Sequence, residues 1–305
     1  MSSRLAVEIA RLKLANPTML AAGILGMSGL SLRSVIEAGA GAVITKSLGP
    51  KPREGYPNPT VVQVECGLLN AVGLPNPGIR YFAEEISEAK ESGEVPIIVS
   101  LYGFSSQEFV DVAKVAVEAG ADALELNVSC PHVEKTGAEI GQSPELVAEV
   151  VKSVKNKVGK PVFVKLTPNV ASIAEVAKAA AEAGADAITA INTVRAMAIN
   201  VETCQPILSN KIGGLSGPAI KPIAVRCVYE IYREVKVPVI GCGGITTWRD
   251  AVEFMLAGAS AVQIGTAVAL KGLSVFRSVT RGIDKYLKEK GFRSVKEIVG
   301  LAHRY

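Results

Sequence analysis

Short apolar runs alternate with longer amphipathic stretches along this chain, and two recurring phrases mark where the apolar runs begin. The first phrase is Ala-Gly-Ala, in which the glycine suits the end of a helix and the following residues start an apolar strand. It occurs at 38–40, 119–121, 183–185 and 257–259. The second phrase is a proline before an apolar run, because a strand tolerates a missing N–H at its first residue. It occurs at Pro17, Pro96, Pro161 and Pro238.

Interleaving the two phrases predicts a regular alternation of strands and helices. Eight buried strands are predicted near 18–22, 42–46, 96–100, 122–127, 161–166, 186–192, 238–242 and 260–265. Eight helices are predicted near 31–38, 78–92, 106–119, 144–157, 172–183, 218–234, 247–257 and 274–290. Apolar strands that alternate with helices are typical of a parallel sheet covered on both faces.

Eight such units favour an α/β fold in which the sheet closes on itself as a (β/α)8 TIM barrel. We expect residues 1–305 to form one barrel domain, and an open doubly wound sheet is the alternative. A solenoid is disfavoured because the spacing between units is irregular. Residues 49–77 are rich in Pro and Gly, so we expect them to be irregular and to cover one end of the barrel.

Composition excludes several classes of protein. The chain has 305 residues, 49% hydrophobic and 20% charged, which excludes a disordered chain and a coiled coil. Its net charge of +4 is small and evenly spread, so we expect no nucleic-acid partner. No apolar signal core opens the sequence and charges interrupt the apolar runs, so we expect no membrane segment and a cytoplasmic location. The five scattered cysteines and two histidines form no metal-binding pattern, so no metal is expected.

Polar side chains stand where the predicted strands end, which is where the active sites of barrel enzymes lie. A lone lysine there is often a surface residue that extends its ammonium into water. Several polar groups that converge from successive strands are not explained by packing, so we expect a site. They are Lys46, Ser47, Ser100, Asn127, Cys130, Lys165, Asn192 and Thr193.

Glycine-rich turns follow the last two predicted strands, at Gly243-Gly244 and at Gly265-Thr266. Loops in this part of a barrel often bind phosphate through backbone N–H groups at the start of a helix. Residues 213–218 contribute a further glycine-rich turn before a long predicted helix. Together these turns indicate a phosphorylated ligand.

Cys130 lies in a polar loop that runs to Gly141 and resembles a mobile lid, where a thiol can act as nucleophile or general base. His132 is too near in sequence to activate it and His303 lies in the C-terminal tail, so we interpret both histidines as non-catalytic. The residues alone leave two alternatives open: a cofactor-free isomerase or aldolase with Lys165 as Schiff base, and a ligand-binding barrel without activity. The other cysteines are interpreted as non-catalytic: Cys66, Cys204, Cys227 and Cys242.

Five longer motifs resemble class 1 dihydroorotate dehydrogenases, and within that class the chain is most similar to the 1B catalytic subunit. The motifs lie at 70–78, 126–131, 164–169, 191–193 and 213–222. The resemblance implies an FMN cofactor at the C-terminal face of the strands and the oxidation of dihydroorotate to orotate in pyrimidine biosynthesis.

The resemblance also implies roles for individual residues. Lys165 would face the N1/O2 edge of the flavin, and Cys130 would take the C5 proton of dihydroorotate while the C6 hydride passes to flavin N5. Implied cofactor-binding residues are Ala22, Lys46, Ser47, Ser100, Asn127, Lys165, Ile191, Gly217, Gly243, Gly244, Gly265 and Thr266. Implied substrate-binding residues are Lys46, Asn70, Ala71, Val72, Gly73, Leu74, Asn127, Asn192 and Thr193.

The chain departs from the family pattern at three positions. Ser100 stands where an asparagine that touches the flavin is expected, and Ala22 stands where serine is common. Cys204 stands where arginine is frequent. The first two departures weaken the inference of FMN binding at those positions, and nothing in the sequence explains the third.

The electron acceptor distinguishes the subclasses of this family. A 1B catalytic subunit passes electrons to a partner subunit that holds FAD and a [2Fe–2S] cluster and reduces NAD, whereas class 1A enzymes use fumarate without a partner. The chain has no cluster cysteines and no G-x-G-x-x-G fingerprint, so such carriers are expected on another protein. A homodimer or a heterotetramer is expected, with class 1A as the alternative.

Overall fold

The computed structural model describes residues 3–91, 93–129 and 140–305. Eight parallel strands close into a barrel in sequence order, with β8 paired to β1 and β5 paired to β6. This architecture confirms the predicted (β/α)8 TIM barrel. The strands are β1 (Thr18–Leu20), β2 (Ala42–Ile44), β3 (Ile97–Leu101), β4 (Ala123–Asn127), β5 (Val162–Leu166), β6 (Ala187–Ala190), β7 (Val239–Cys242) and β8 (Ala259–Ile264).

A helix follows each strand and packs its apolar face on the barrel, as the alternation predicts. Several begin at a Ser or Thr whose side chain accepts a backbone N–H of the first turn, which stabilises the helix start. The short helix α8 was not predicted, because Gly265 and Gly272 enclose only six residues. The helices are α1 (Gly29–Glu37), α2 (Ile79–Lys90), α3 (Ser106–Glu118), α4 (Pro144–Lys155), α5 (Ile173–Glu182), α6 (Lys221–Glu234), α7 (Trp248–Ala257), α8 (Thr266–Lys271) and α9 (Ser274–Lys290).

A two-stranded hairpin closes the N-terminal end of the barrel. Its strands are Val7–Ile9 and Leu12–Leu14, and their apolar side chains Ile9 and Leu14 are buried against the barrel interior. Each such side chain removed from water contributes about 1.5–3 kcal/mol. The hairpin seals this end with apolar groups, so the opposite end is the one available to a polar ligand.

A four-stranded antiparallel sheet forms beside the C-terminal end of the barrel. It joins Val61–Val64 and Gly67–Asn70 to two strands from beyond β6, Val194–Met197 and Ile212–Ser216. The prediction that residues 49–77 are wholly irregular is therefore wrong. Val61–Val64 pairs with its neighbour Gly67–Asn70, and Gly67–Asn70 pairs in turn with Ile212–Ser216, about 145 residues later. No local pattern marks that second pairing.

No helix within residues 3–91, 93–129 and 140–305 combines the length and apolar character needed to cross a bilayer. The apolar runs are instead used inside the barrel and between barrel and helices, where residues such as Val99, Phe109, Val164 and Phe276 are fully buried.

Candidate functional site

A cavity of about 910 Å³ opens at the C-terminal ends of the barrel strands. It brings together nearly all of the side chains predicted from the strand ends and the glycine turns. Ser100 does not reach this cavity, and Cys130 and His132 lie outside the described residues. The predicted site residues that line it are Ala22, Lys46, Ser47, Asn70, Ala71, Val72, Gly73, Leu74, Asn127, Lys165, Ile191, Asn192, Thr193, Gly217, Gly243, Gly244, Gly265 and Thr266.

A chain of hydrogen bonds connects the strand ends on one side of the cavity. Asn127 Nδ2 donates to Ser47 Oγ at 3.2 Å, and Asn192 Nδ2 donates to Asn127 Oδ1 at 3.2 Å. Asn192 Oδ1 in turn accepts the backbone N–H of Thr193 at 2.8 Å. These contacts fix which face of each amide is turned to its neighbour, so the remaining donors and acceptors are held in one orientation for a ligand.

Lys165 lies at the floor of the cavity, where its side chain is only 6% exposed. Its Nζ donates to Gln263 Oε1 at 2.9 Å and lies 3.8 Å from Glu125 Oε1. Burial opposes its charge, but the facing Cys242 and Glu125 outweigh burial and raise the pKa of Lys165 above its ordinary value. A lysine that forms a Schiff base needs a lowered pKa, so Lys165 is unsuited to that role.

Lys46 lies in the same cavity wall but in a different electrostatic setting. Burial lowers the pKa of Lys46, and no opposing charge offsets that effect among the described residues. An anionic ligand that entered the cavity would supply an opposing charge and raise the pKa of Lys46 again. The arrangement fits a lysine that binds a carboxylate or phosphate.

The glycine turn after β7 is held against the start of α6. A Cβ atom at Gly244 would lie 2.8 Å from Lys221 Cβ and 2.9 Å from Gly217 O, and its φ of +77° is one that side chains rarely adopt. Lys221 Nζ reaches across to Asp250 Oδ1 at 2.9 Å. The turn therefore needs glycine both for its conformation and for close packing.

Asp250 organises the loop between that turn and α7. Its Oδ2 accepts the backbone N–H groups of Thr246 and Thr247 at 3.0 and 2.8 Å, together with both threonine hydroxyls. Burial raises its pKa, but the hydrogen bonds from Lys221 and the two threonines prevail and leave the pKa of Asp250 below its ordinary value. The loop is thus fixed by one ionised carboxylate.

The segment from Asn70 to Leu74 forms another wall of the cavity and is held by contacts with its neighbours. Asn70 Nδ2 donates to Gly214 O at 3.1 Å, and Arg53 Nε donates to Gly73 O at 2.7 Å. On the other strand, a Cβ at Gly214 would overlap Thr193 Oγ1 and lie 2.6 Å from Thr193 Cβ. Thr193 therefore keeps its position because residue 214 has no side chain.

The structure adds cavity residues that the strand-end pattern missed. Asn169 Nδ2 donates to Thr167 Oγ1 at 2.8 Å and to Thr193 O at 3.1 Å, which connects β5 to the strand after β6. Gln263 and Cys242 line the floor beside Lys165. Asn169 lies in the motif at 164–169 and could have been selected, whereas Gln263 stands inside an apolar strand that gave no sign of a site.

The donor set of the cavity fits a flavin mononucleotide. Gly265 and Thr266 bring bare backbone and a hydroxyl to one side, and a Cβ at Gly265 would meet only Ala21 Cβ, at 3.3 Å. Backbone N–H groups and hydroxyls beside glycine are the groups that bind phosphate. At the floor, the Lys165 ammonium suits a ring edge that becomes negative on reduction.

Comparison with known proteins identifies the family. A family model described as dihydroorotate dehydrogenase matches residues 4–287. The protein named dihydroorotate dehydrogenase B (NAD(+)), catalytic subunit, from Pyrococcus furiosus is 55% identical over 298 residues, which cover 98% of each chain. The protein of the same name from Pyrococcus abyssi is 56% identical over 298 residues, covering 98% of this chain and 99% of the relative.

A further relative of that name, from Methanosarcina mazei, is 51% identical over 302 residues. These cover 99% of this chain and 96% of the relative. The matches extend over the barrel and over the strands that border its cavity, and they confirm the resemblance carried by the five motifs. The chain belongs to the dihydroorotate dehydrogenase family.

Proposed function

We propose that this chain is the catalytic subunit of an NAD-linked dihydroorotate dehydrogenase, which oxidises dihydroorotate to orotate in pyrimidine biosynthesis in the cytoplasm. The observation that carries the proposal is the convergence of Asn70, Asn127 and Asn192 in one cavity above the buried ammonium of Lys165. Amides offer both a donor and an acceptor to the cyclic imide of dihydroorotate. Lys46 offers a positive charge to its carboxylate.

The cofactor of the proposed reaction is FMN, one per chain. When bound, it supplies the acceptor for the hydride that leaves C6 of the substrate. Gly217, Gly243, Gly244, Gly265 and Thr266 would hold its phosphate through backbone and hydroxyl donors. Its ring would be held by the remaining cavity residues assigned to the cofactor, which are Ala22, Lys46, Ser47, Asn127, Lys165 and Ile191.

The chain's own residues would bind the substrate and move its proton. The segment Asn70 to Leu74, with Asn192 and Thr193, would orient the ring and the carboxylate of dihydroorotate in the cavity. Cys130 would take the C5 proton, which is the role of a positioned general base. Support for Cys130 comes from its motif and from its place in the chain directly after Ser129, which lines the cavity.

The proposed electron path leads out of this chain. We infer a partner subunit with FAD and a [2Fe–2S] cluster that passes electrons to NAD, and we expect the catalytic chain to form a homodimer or a heterotetramer. The relatives carry the words "catalytic subunit" and "NAD(+)" in their names, which supports this choice over class 1A.

The cofactor is tested by denaturing the purified chain and identifying the released flavin. About one FMN per chain is expected, whereas release of FAD, or of no flavin, would overturn the proposal. The acceptor is tested by assaying NAD reduction with and without co-purified partner. The isolated chain should reduce NAD very slowly, and rapid reduction of fumarate by the chain alone would move it to class 1A.

A further inference from the structure

A buried carboxylate stands beneath the cavity and contacts no ligand site directly. Glu125 in β4 is fully buried, and its Oε2 accepts hydrogen bonds from Thr189 Oγ1, at 3.0 Å, and from Gln263 Nε2. Its Oε1 has no hydrogen-bond partner among the described residues and lies 3.8 Å from Lys165 Nζ. Gln263 bridges the two charges, because its Oε1 accepts from that ammonium while its Nε2 donates to the carboxylate.

Burying a carboxylate with one oxygen unsatisfied is costly, and packing alone does not require it. We propose that Glu125 is a positioning residue that acts with Gln263 to hold Lys165 charged and oriented at the floor of the flavin cavity. The inference rests on the proposed function, since it assumes that FMN occupies the cavity. Glu125 then acts on the flavin only through Lys165.

Two lysines in one cavity support this assignment. Lys46 has no carboxylate near it in the described part of the chain, and burial lowers its pKa. Lys165 is more deeply buried, yet its pKa is raised. The titratable groups that face Lys165 are Cys242 on β7 and Glu125 on β4. Burial raises the pKa of the Cys242 thiol, and the Glu125 carboxylate lies 3.8 Å from Lys165 Nζ, within ion-pair distance.

Loss of the carboxylate has an effect whose sign identifies the mechanism. If Glu125 holds the proton on Lys165, its removal weakens the positive charge at the floor, and reduced FMN, which gains negative charge, is disfavoured. If Glu125 acted on the flavin directly, its removal would take away a negative charge and favour reduced FMN. The two mechanisms therefore shift the flavin equilibrium in opposite directions.

The test equilibrates the FMN-loaded protein with a redox dye of known potential and measures the reduced fraction between pH 7 and 9.5. Glu125→Gln should shift the equilibrium constant at least tenfold against reduced flavin, about 30 mV for a two-electron couple. The reduced fraction of flavin should fall further below that of the unaltered protein as pH rises, because Lys165 loses its proton. An unchanged or raised potential would overturn the inference.

Two further variants complete the design. Thr189→Val removes the other hydrogen bond to Glu125 Oε2 but keeps the charges of Glu125 and Lys165. The equilibrium constant for flavin reduction should therefore stay within about twofold of that of the unaltered protein. An equally large shift in Thr189→Val would contradict a role through charge. If Glu125→Gln does not fold, Glu125→Asp withdraws the carboxylate from Lys165 and should give a smaller shift of the same sign, whereas the opposite sign would contradict the inference.

The same measurements separate this inference from the proposed function. A purified protein that carries no FMN would overturn the proposed function together with the inference. A protein that carries FMN and is reduced by dihydroorotate, but whose potential is unaffected by Glu125→Gln, would overturn the inference alone.

Discussion

Ser100 Oγ lies 2.9 Å from Ser47 Oγ, so two strand-end hydroxyls that the sequence places 53 residues apart share one hydrogen bond. Ser100 is fully buried behind Ser47, and Ser47 is the one that lines the cavity. Ser47 also accepts from Asn127 Nδ2. At the position where an asparagine was expected to touch the flavin, this chain therefore has a residue that supports the cavity wall from behind.

Replacing each serine in turn should distinguish the residue that supports the cavity wall from the residue that lines the cavity. Ser100→Ala should lower the free energy of unfolding by about 1 kcal/mol, the usual net value of one hydrogen bond, and leave the FMN content unchanged. Ser47→Ala also removes the acceptor for Asn127 and should weaken FMN retention. Denaturant unfolding and flavin content measure both effects. Loss of FMN from Ser100→Ala would contradict the assignment of Ser100 to a supporting role.

Gly214 should be required for substrate binding although it bears no side chain. Gly214→Ala introduces a Cβ that overlaps Thr193 Oγ1, so Thr193 must move away from the proposed substrate. We expect the KM for dihydroorotate to rise at least about tenfold, the loss of roughly 1.4 kcal/mol of binding, with FMN content retained. Steady-state kinetics with an artificial acceptor measure this effect.

Gly159→Ala is the matched control for that experiment. Its Cβ would meet no heavy atom within 4 Å, and the residue lies far from the cavity wall in the loop before β5. Its KM should equal that of the unaltered protein. A Gly214→Ala protein with unaltered KM would show that Thr193 does not need its present position.

Acid should weaken the loop that borders the proposed phosphate site. The pKa of Asp250 is lowered in the fold, so its contribution to stability is complete above the ordinary carboxyl pKa of about 3.9 and is lost as pH falls below that value. Asp250→Asn should cost about 1–2 kcal/mol of unfolding free energy at neutral pH. The difference between the two proteins should shrink as pH falls below about 4.

Glu253→Gln is the control for Asp250, because Glu253 is the other carboxylate partner of Lys221 and is about half exposed. An exposed ion pair contributes little, so its unfolding free energy should change by less than about 1 kcal/mol. The measurement is denaturant unfolding at several pH values. Equal losses of unfolding free energy in the two variants at neutral pH would contradict the assignment of Asp250 as the residue that fixes the loop.

Cys130 is expected to be the base of the proposed reaction. Cys130→Ser should slow flavin reduction by dihydroorotate at least about 10²-fold while FMN stays bound, as expected when a positioned base is lost. Cys66→Ser alters an exposed thiol and should leave the rate unchanged. Stopped-flow absorbance measures both rates, and an unchanged rate in Cys130→Ser would exclude the thiol as base.

Much of the fold could be predicted from the sequence because its signals are local. Each glycine of the Ala-Gly-Ala phrase ends a helix just before a strand, as at Gly120 before β4 and Gly258 before β8. The hairpin at 7–14 was missed because its turn is Ala10-Arg11, where both residues adopt positive φ without the glycine that usually marks such a turn.

The site was predicted only in part from the position of polar residues along the strands. Asn127 ends its strand and was selected, and so was Lys165, one residue before the end of β5. Gln263 holds the same place in β8 but was missed, as was Glu125 in the middle of β4, because both lie in runs that otherwise look like packed barrel interior. Their importance depends on which side chains meet across the barrel, a distance of 138 residues in the chain. Ser100 was assigned to the cofactor because it stands near the end of its strand, although its side chain lies behind that of Ser47.

The most direct test of the proposed function is one anaerobic mixing experiment. The purified chain, carrying FMN, is mixed with dihydroorotate in the absence of any acceptor, and the visible absorbance of the flavin is followed. Rapid bleaching is expected, together with the formation of one orotate per flavin. A flavin that stays oxidised in the presence of saturating dihydroorotate would contradict the proposed function.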